Sequence, residues 1–491
     1  MPLKILAQRG SLVPMTRGAT ANSLLAALLL ISVGGRHMFS TAAFAPRVAL
    51  RVSILTKTKS VWRTRFTVPR TACGLKNMAA TASAFPTSDR VQTTLDPCVI
   101  LMKQLISKHA HLWEDRDGIY SLAQGVVYWK PPRNAYDALT DAAENDDLLH
   151  TYCPDEGLPE LIDALKTKVV AENGLGGENG NEVEIIVTSG ANQAYVNCVL
   201  TLLSEGDRCV VFRPYYFNHV MAVQMTRGEE SLLVGSCGDN GVPDLGWLEE
   251  QFKGESGGRI KAVTLVNPGN PTGTSLSRSV LDEMVRLCRK HKAWLLMDNT
   301  YEHFDHTKAN GINVPFWCSP ESHVINIFSF SKAFALAGFR VGYIAINTGA
   351  GEEAQEAYSQ MLKVQDTIPI CPARPSQVAS LGALSAGRDW VAEQVKTLDG
   401  GREAIMEALR PLGTIMGGTG AMYVMAKLPD GLDDREVGEI LVEKYGIAII
   451  PGSFCGFPGW IRVCYSNLDP NRCMLAAERL AEGIRDLINR K

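Results

Sequence analysis

Acidic residues are missing from the first 88 positions of this 491-residue chain, where 12 lysines and arginines stand without one aspartate or glutamate. Asp89 is the first acid, and the rest of the chain carries 37 basic against 52 acidic side chains. An acidic body has no electrostatic footprint for a phosphate backbone, so no nucleic acid is expected as a partner. The 12 cysteines form no CxxC pair and no Cys/His cluster. That argues against a disulfide framework and a zinc site, and for free thiols in a reducing compartment; no metal is assigned. Long apolar runs are also absent. The run at 23–33 (SLLAALLLISV) is too short to span a bilayer as a helix, and no stable membrane span is expected. No internal repeat is present. With 46% hydrophobic and 21% charged residues, the composition is that of a soluble globular protein.

The acid-free leader, residues 1–90, has the make-up of a targeting region. Its apolar run fits a signal-peptide core and is followed by Ser40-Thr41-Ala42-Ala43, then Phe44-Ala45-Pro46 and a Ser/Thr/Arg-rich stretch. That order resembles the bipartite plastid leaders of algae with secondary plastids. A mitochondrial leader, or a cytosolic protein started at Met78, are the alternatives.

Beyond residue 90 short apolar runs alternate with amphipathic stretches. The runs at 183–188, 209–212, 262–266, 293–297, 324–328 and 341–346 are rich in Val, Ile or Leu, as strands buried on both faces should be. Stretches such as 193–203 and 278–290 carry helical periodicity. The alternation predicts an α/β fold with a mostly parallel sheet covered by helices. Gly-rich segments at 172–181 and 253–259 read as loops. From about residue 377 longer helices and fewer strands predict a second, smaller domain.

Four islands lie where a strand gives way to a loop, the place where open parallel sheets bind ligands. After the run at 324–328 comes Ser329-Phe-Ser-Lys-Ala-Phe-Ala-Leu-Ala-Gly-Phe-Arg-Val-Gly-Tyr343. Lys332 sits among apolar neighbours and two serines; desolvation lowers a lysine pKa, and only the neutral amine attacks a carbonyl. Arg340 offers a bidentate anchor for a phosphate beside the Ser329 and Ser331 hydroxyls. Asn267-Pro-Gly-Asn-Pro-Thr-Gly-Thr274 would pass for a turn in any protein. Asp298-Asn-Thr-Tyr301 would pass equally for a helix cap. Thr188-Ser-Gly-Ala-Asn-Gln193 opens a helix, and the backbone amides of Gly190, Ala191 and Asn192 make an anion site there. In the next βα unit, Arg213-Pro-Tyr-Tyr216 offers two aromatics, either of which could be a core residue. Near the end, Trp460-Ile-Arg-Val-Cys-Tyr-Ser466 carries one arginine, Arg462, among apolar residues, and a buried arginine needs an anionic partner.

Taken together, in this order, the islands resemble the class I/II pyridoxal-phosphate-dependent aminotransferases of fold type I. The pyridoxal-lysine signature, S-x-S-K followed by G-x-R-x-G-Y, is matched at every fixed position from Ser329 to Tyr343. The match covers roughly 92–490. It is nearest to plant enzymes that pass an amino group from methionine to aromatic 2-oxo acids such as indole-3-pyruvate, with strings such as LAQGVVYWKPP, YCPDEGLPEL and DNTYEHF. The resemblance implies a large cofactor domain at 135–375 with a seven-stranded, mostly parallel sheet, and a smaller α+β domain from 92–134 and 376–491. It implies that Lys332 carries pyridoxal 5′-phosphate as a Schiff base. Gly190, Ala191, Asn192, Ser329, Ser331 and Arg340 would hold the phosphate, Asp298 the ring nitrogen, Asn270 and Tyr301 the phenolic oxygen, and Tyr216 the ring face. Tyr152, at the start of a helix, would reach the phosphate of a neighbouring subunit, which implies a homodimer with shared active sites. Arg462 would grip the substrate α-carboxylate, with the Gly125 backbone close by.

The substrates implied are amino acids and 2-oxo acids. Ile368-Pro-Ile-Cys371 has no arginine where dicarboxylate-specific relatives place one, although Arg374 is near. Tyr128 and Trp129 would pack against an aromatic or thioether side chain, or else belong to the domain hinge. Phe334-Ala-Leu-Ala stands where several relatives carry Tyr-Gly and Met. Aromatic and sulfur-containing substrates are expected, with aspartate as the alternative. A carbon–sulfur lyase or an aminocyclopropane carboxylate synthase would share nearly all these residues. Transcription factors that use the same fold as a sensor carry a helix-turn-helix in front, and the leader has no such pattern.

Overall fold

The computed structural model describes residues 85–176, 182–307 and 316–489; the basic leader and the targeting readings attached to it lie outside the described residues. A seven-stranded sheet organises the part that carries the islands. Its strands lie side by side in the order Val183–Thr188, Gly342–Asn347, Val324–Ser329, Trp294–Asp298, Ile260–Val266, Arg208–Arg213 and Leu232–Ser236. Gly342–Asn347 runs antiparallel to both of its neighbours, and the other pairs are parallel. The six strands expected from the apolar runs are present, with ends shifted by two residues or fewer. The seventh, Leu232–Ser236, is a half-covered edge strand whose sequence, LLVGS, shows neither alternation nor a long apolar run.

Helices cover both faces, as strands without a polar face require. Arg278–His291 shows how the sequence directs this. The Ser277 hydroxyl accepts from the Val280 amide at its start, and Leu281, Met284 and Cys288 form the buried stripe. Ala191–Leu202 packs on the other face through Ala194, Tyr195 and Cys198.

A four-stranded antiparallel sheet holds Arg462, in the order Ile450–Pro451, Trp460–Cys464, Tyr423–Lys427 and Ile415–Gly417. Tyr120–Ser121 pairs with Ile447–Ala448. The segment that follows is fastened to this part of the molecule, because the Cys464 amide donates to the Leu122 carbonyl at 2.8 Å. Residues 122–129 thus run from the four-stranded sheet toward the loop carrying Lys332. No helix among the described residues is long and apolar enough to cross a membrane.

Candidate active site

Thr188, Asp298 and Ser329 are the last residues of three strands of the large sheet, and Asn270 follows closely on the end of a fourth. Parallel strands present their carboxyl ends on one edge, and the islands meet there. The register tightens the arrangement: Gly342 pairs with Thr188 on one side and Ser329 on the other. The turn opening the helix Ala191–Leu202 therefore lies beside the start of the lysine loop. A cavity of about 220 Å³ opens at this edge, lined among others by Gly125, Ala191, Asn192, Asp298, Lys332 and Arg462.

Lys332 borders the cavity and donates to the Gly125 carbonyl at 2.5 Å. Burial of the amine, reinforced by the Arg462 and Arg340 charges, brings its pKa down to about 8 against opposing contributions from Cys464 and Asp298. Asp298 is buried. Burial alone would push its carboxyl up, yet His219 Nε2 at 3.2 Å and the Thr300 amide at 3.0 Å hold it below the ordinary carboxylate value. Tyr301 and Asn270 are joined, with Asn270 Nδ2 donating to the Tyr301 hydroxyl at 3.2 Å. The Tyr301 hydroxyl also lies 2.9 Å from that of Tyr423. Both phenols are pushed above their ordinary range, first by burial.

Arg462 is 4% exposed; it donates to Asn270 Oδ1 at 3.0 Å and to the Ala123 carbonyl at 2.7 Å, and its guanidinium lies 4.4 Å from the Tyr423 ring centre. Its buried Nε has no hydrogen-bond partner among the described residues. A guanidinium in this state, facing a cavity, has a donor to spare for an anion. Gly125 permits the close approach here, because a Cβ at that position would fall 1.9 Å from the Tyr423 hydroxyl oxygen.

Ala191, Asn192, Ser329, Ser331 and Arg340 line the cavity on the side of the helix start. Gly190 lies behind them with φ +87°, and a Cβ there would meet Arg340 Nη2 at 2.3 Å. Glycine is thus required both by the backbone and by the arginine. Tyr216 also lines the cavity, and its hydroxyl lies 3.4 Å from Asn192 Oδ1. Amide donors at a helix start, two hydroxyls and an arginine suit a phosphate; a buried carboxylate suits a protonated ring nitrogen; Asn270 and Tyr301 suit a phenolic oxygen. The residues present fit pyridoxal phosphate.

Two expectations meet a different arrangement. Trp129 does not line the cavity: it is buried in the core, donates to the Ala333 carbonyl at 3.2 Å and stacks on Phe304. Its indole needs a buried acceptor, and the lysine loop supplies one, so Trp129 supports the loop from behind. Ile368 is exposed, and Arg374 is engaged with Asp146 at 3.1 Å; neither lines the cavity. Tyr152 is 76% exposed and does not line the cavity of its own chain, an arrangement that neither meets nor contradicts a role toward a neighbouring subunit.

Several lining or supporting residues stand outside the residues singled out by the islands. His219 lies on the helix Phe217–Arg227 and Tyr423 on a strand of the other sheet. Val99 and Phe217, with Ala123, give the cavity an apolar side. His219 follows Tyr216 by three positions at a helix start, a spacing that could have flagged it. Nothing near Tyr423 distinguishes it from a core tyrosine.

Known proteins agree with this geometry. The family described as aminotransferase class I and II matches residues 117–480. An aromatic aminotransferase of Arabidopsis thaliana is 42% identical over 373 residues, covering 75% of this chain and 90% of the relative. An aspartate/prephenate aminotransferase of Thermus thermophilus is 30% identical over 67% of this chain and 82% of its own length. Among solved structures, the Thermus thermophilus aspartate aminotransferase with maleate superposes with a TM-score of 0.70 at 27% identity, covering 81% of this chain and 100% of that one. With the family matched over most of its length and the lysine, carboxylate and arginine gathered at one sheet edge, the chain belongs to the class I and II aminotransferases, pyridoxal-phosphate-dependent enzymes of fold type I.

Proposed function

We propose that this transaminase prefers L-amino acids with aromatic or thioether side chains and passes their amino group to 2-oxo acids of the same kind. One observation carries the reading. Among the described residues lining the cavity the cationic ones are Lys332, Arg340 and Arg462, and each has a task common to all substrates. A second carboxylate on the substrate side chain would find no cation, while Val99, Ala123 and Phe217 offer apolar surface. The likeness to an aromatic aminotransferase supports the same choice.

In this reading Arg462 binds the α-carboxylate with the donors it has free and fixes which bond at Cα faces Lys332. Lys332, neutral above about pH 8, accepts the proton that leaves Cα and later returns one. Bound pyridoxal phosphate supplies the electron-withdrawing ring that makes Cα acidic enough for this transfer. Asp298, kept ionised by His219 and the Thr300 amide, holds the ring nitrogen in its protonated form. Asn270 and Tyr301 hold the phenolic oxygen, Tyr216 covers the ring, and Gly190, Ala191, Asn192, Ser329, Ser331 and Arg340 hold the phosphate. A donor/acceptor panel scored by oxo-acid formation tests the preference. Phenylalanine and methionine should exceed aspartate in kcat/KM by roughly a hundredfold or more, the cost of burying an unpaired carboxylate. Equal values for aspartate and phenylalanine would refute it.

Pairing of two copies completes the site in this proposal. Tyr152 and its neighbour Leu148 are exposed, as are Ile368 and Ile370, and the two segments are joined by the Arg374–Asp146 ion pair. A second copy covering this surface would bring Tyr152 to its phosphate. Light scattering should give a dimer, and Tyr152→Ala should weaken cofactor retention. The leader is proposed as a plastid address, tested by fusing residues 1–90 to a fluorescent protein; cytosolic or mitochondrial fluorescence would overturn it.

A further inference from the structure

We propose that Tyr195 is a positioning residue of the transamination site, holding His219 in the plane from which it bonds to Asp298. The inference rests on the reading that Asp298 faces the ring nitrogen of the cofactor. Tyr195 projects from the helix Ala191–Leu202 and His219 from the helix Phe217–Arg227. Their rings stack with centroids 4.1 Å apart and planes 29° apart, and Tyr216 meets the imidazole edge-on at 5.2 Å. Both residues are buried, Tyr195 to 1% exposure and His219 to 5%.

The tyrosine is itself fixed at its far end. Its hydroxyl lies 2.8 Å from Thr264 Oγ1, on the strand Ile260–Val266, and 3.7 Å from Cys209 Sγ. It does not line the cavity, so it acts only through His219. The second side-chain torsion of histidine is broad, so an imidazole left to itself has no strongly preferred plane. Stacking removes that freedom before any ligand arrives, and it keeps Nε2 within 3.2 Å of Asp298 Oδ2. Loss of the stack would let the imidazole turn, leaving a buried carboxylate with a poorer donor and a weaker hold on the protonated ring nitrogen. With that positive charge less firmly held, the nitrogen linking Lys332 to the cofactor would keep its own proton to higher pH.

The test compares holoenzymes of Tyr195→Leu, Tyr195→Phe and Asp298→Asn. Three quantities are read: steady-state rates with phenylalanine, the pH midpoint of the lysine-bound cofactor absorbance, and the thermal midpoint. Tyr195→Leu should lower kcat about tenfold with KM within about twofold, and raise the absorbance midpoint by roughly half a unit or more. Tyr195→Phe, which keeps the ring, should restore both to near wild-type values. Tyr195→Met takes the place of the leucine variant if that protein does not fold. A lowered thermal midpoint with unchanged kcat and absorbance midpoint would make Tyr195 a packing residue and overturn the proposal. So would a phenylalanine variant as impaired as the leucine one. An unchanged absorbance midpoint in Asp298→Asn would instead remove the site reading beneath it.

Discussion

Two lysines flank the strand Val324–Ser329 and meet opposite fates. Lys168, on the helix Pro159–Asn173, is 6% exposed, donates to both Glu302 oxygens at 2.6 Å and to Asn173 Oδ1 at 2.9 Å, and lies 4.7 Å from the Phe328 ring centre. Lys332, just past the same strand, has among the described residues one hydrogen-bond acceptor, the Gly125 carbonyl, and no carboxylate within ion-pair distance. Side-chain chemistry is identical; the difference lies in the partner. A buried ammonium with a matched carboxylate is a fixed structural tie, whereas one without such a partner is poised to lose its proton.

The same substitution at both positions should separate these roles. Lys332→Met is expected to lower turnover with phenylalanine by roughly a thousandfold or more, the general-acid–base contribution together with the lost covalent attachment. Single-turnover assays and the cofactor absorbance check it, and near-normal values would end the assignment. Lys168→Met should leave turnover of the folded enzyme within about tenfold but destabilise it by about 3–5 kcal/mol, because Glu302 is left buried without the ammonium that balances it, with only Asn173 and His303 beside it. Denaturant unfolding measures this, and adding Glu302→Leu should recover most of the loss.

The third contrast is one of sign. Between about pH 8 and the ordinary lysine value of 10.5 the unfolded chain binds more protons at Lys332 than the folded chain does. Apoenzyme stability therefore rises with pH across that window, and the full cost is present below it. Lys332→Met should stabilise the apoenzyme by on the order of 3 kcal/mol at pH 7, with the gain fading as pH rises through the window. A gain that persists undiminished at pH 10.5 would mean that packing, not desolvation, is responsible. Smallest of all, Tyr301→Phe should cost roughly tenfold in kcat, since Asn270 still offers its amide 3.2 Å from where the hydroxyl stood. Asp298→Asn, which removes the charge itself, should cost far more; the reverse ranking would undo the roles given to the pair.

Much of this contrast is legible in the sequence at Lys332 and little of it at Lys168. The strand ahead of Lys332, the serines beside it and Arg340 eight positions on form a local pattern, because the chemistry is concentrated in one loop. The Lys168–Glu302 tie spans 134 residues, and no local pattern announces it. His219 and Tyr423 were hidden for the same reason, since their meaning depends on which helix and which sheet stand opposite. The antiparallel direction of Gly342–Asn347 was equally unreadable, because its fully buried apolar run looks the same whichever way its neighbours point. Trp129 misled because an aromatic near a binding segment reads alike whether it faces the ligand or braces the loop behind it.

That reversed strand also bears on how the site opens. A parallel partner would require a long crossover between Lys332 and the next strand; here the chain turns straight back, and the Phe330 amide closes the neck of the loop on the Val341 carbonyl at 3.1 Å. Ser329 and Gly342, the loop's two roots, stand at the ends of strands that each have a neighbour on both sides in the sheet. Amides deeper in these two strands should therefore exchange more slowly than those of the half-covered edge strand Leu232–Ser236. Lys332 and Arg340 are thus carried on a loop whose two ends are both tied to central strands of the sheet.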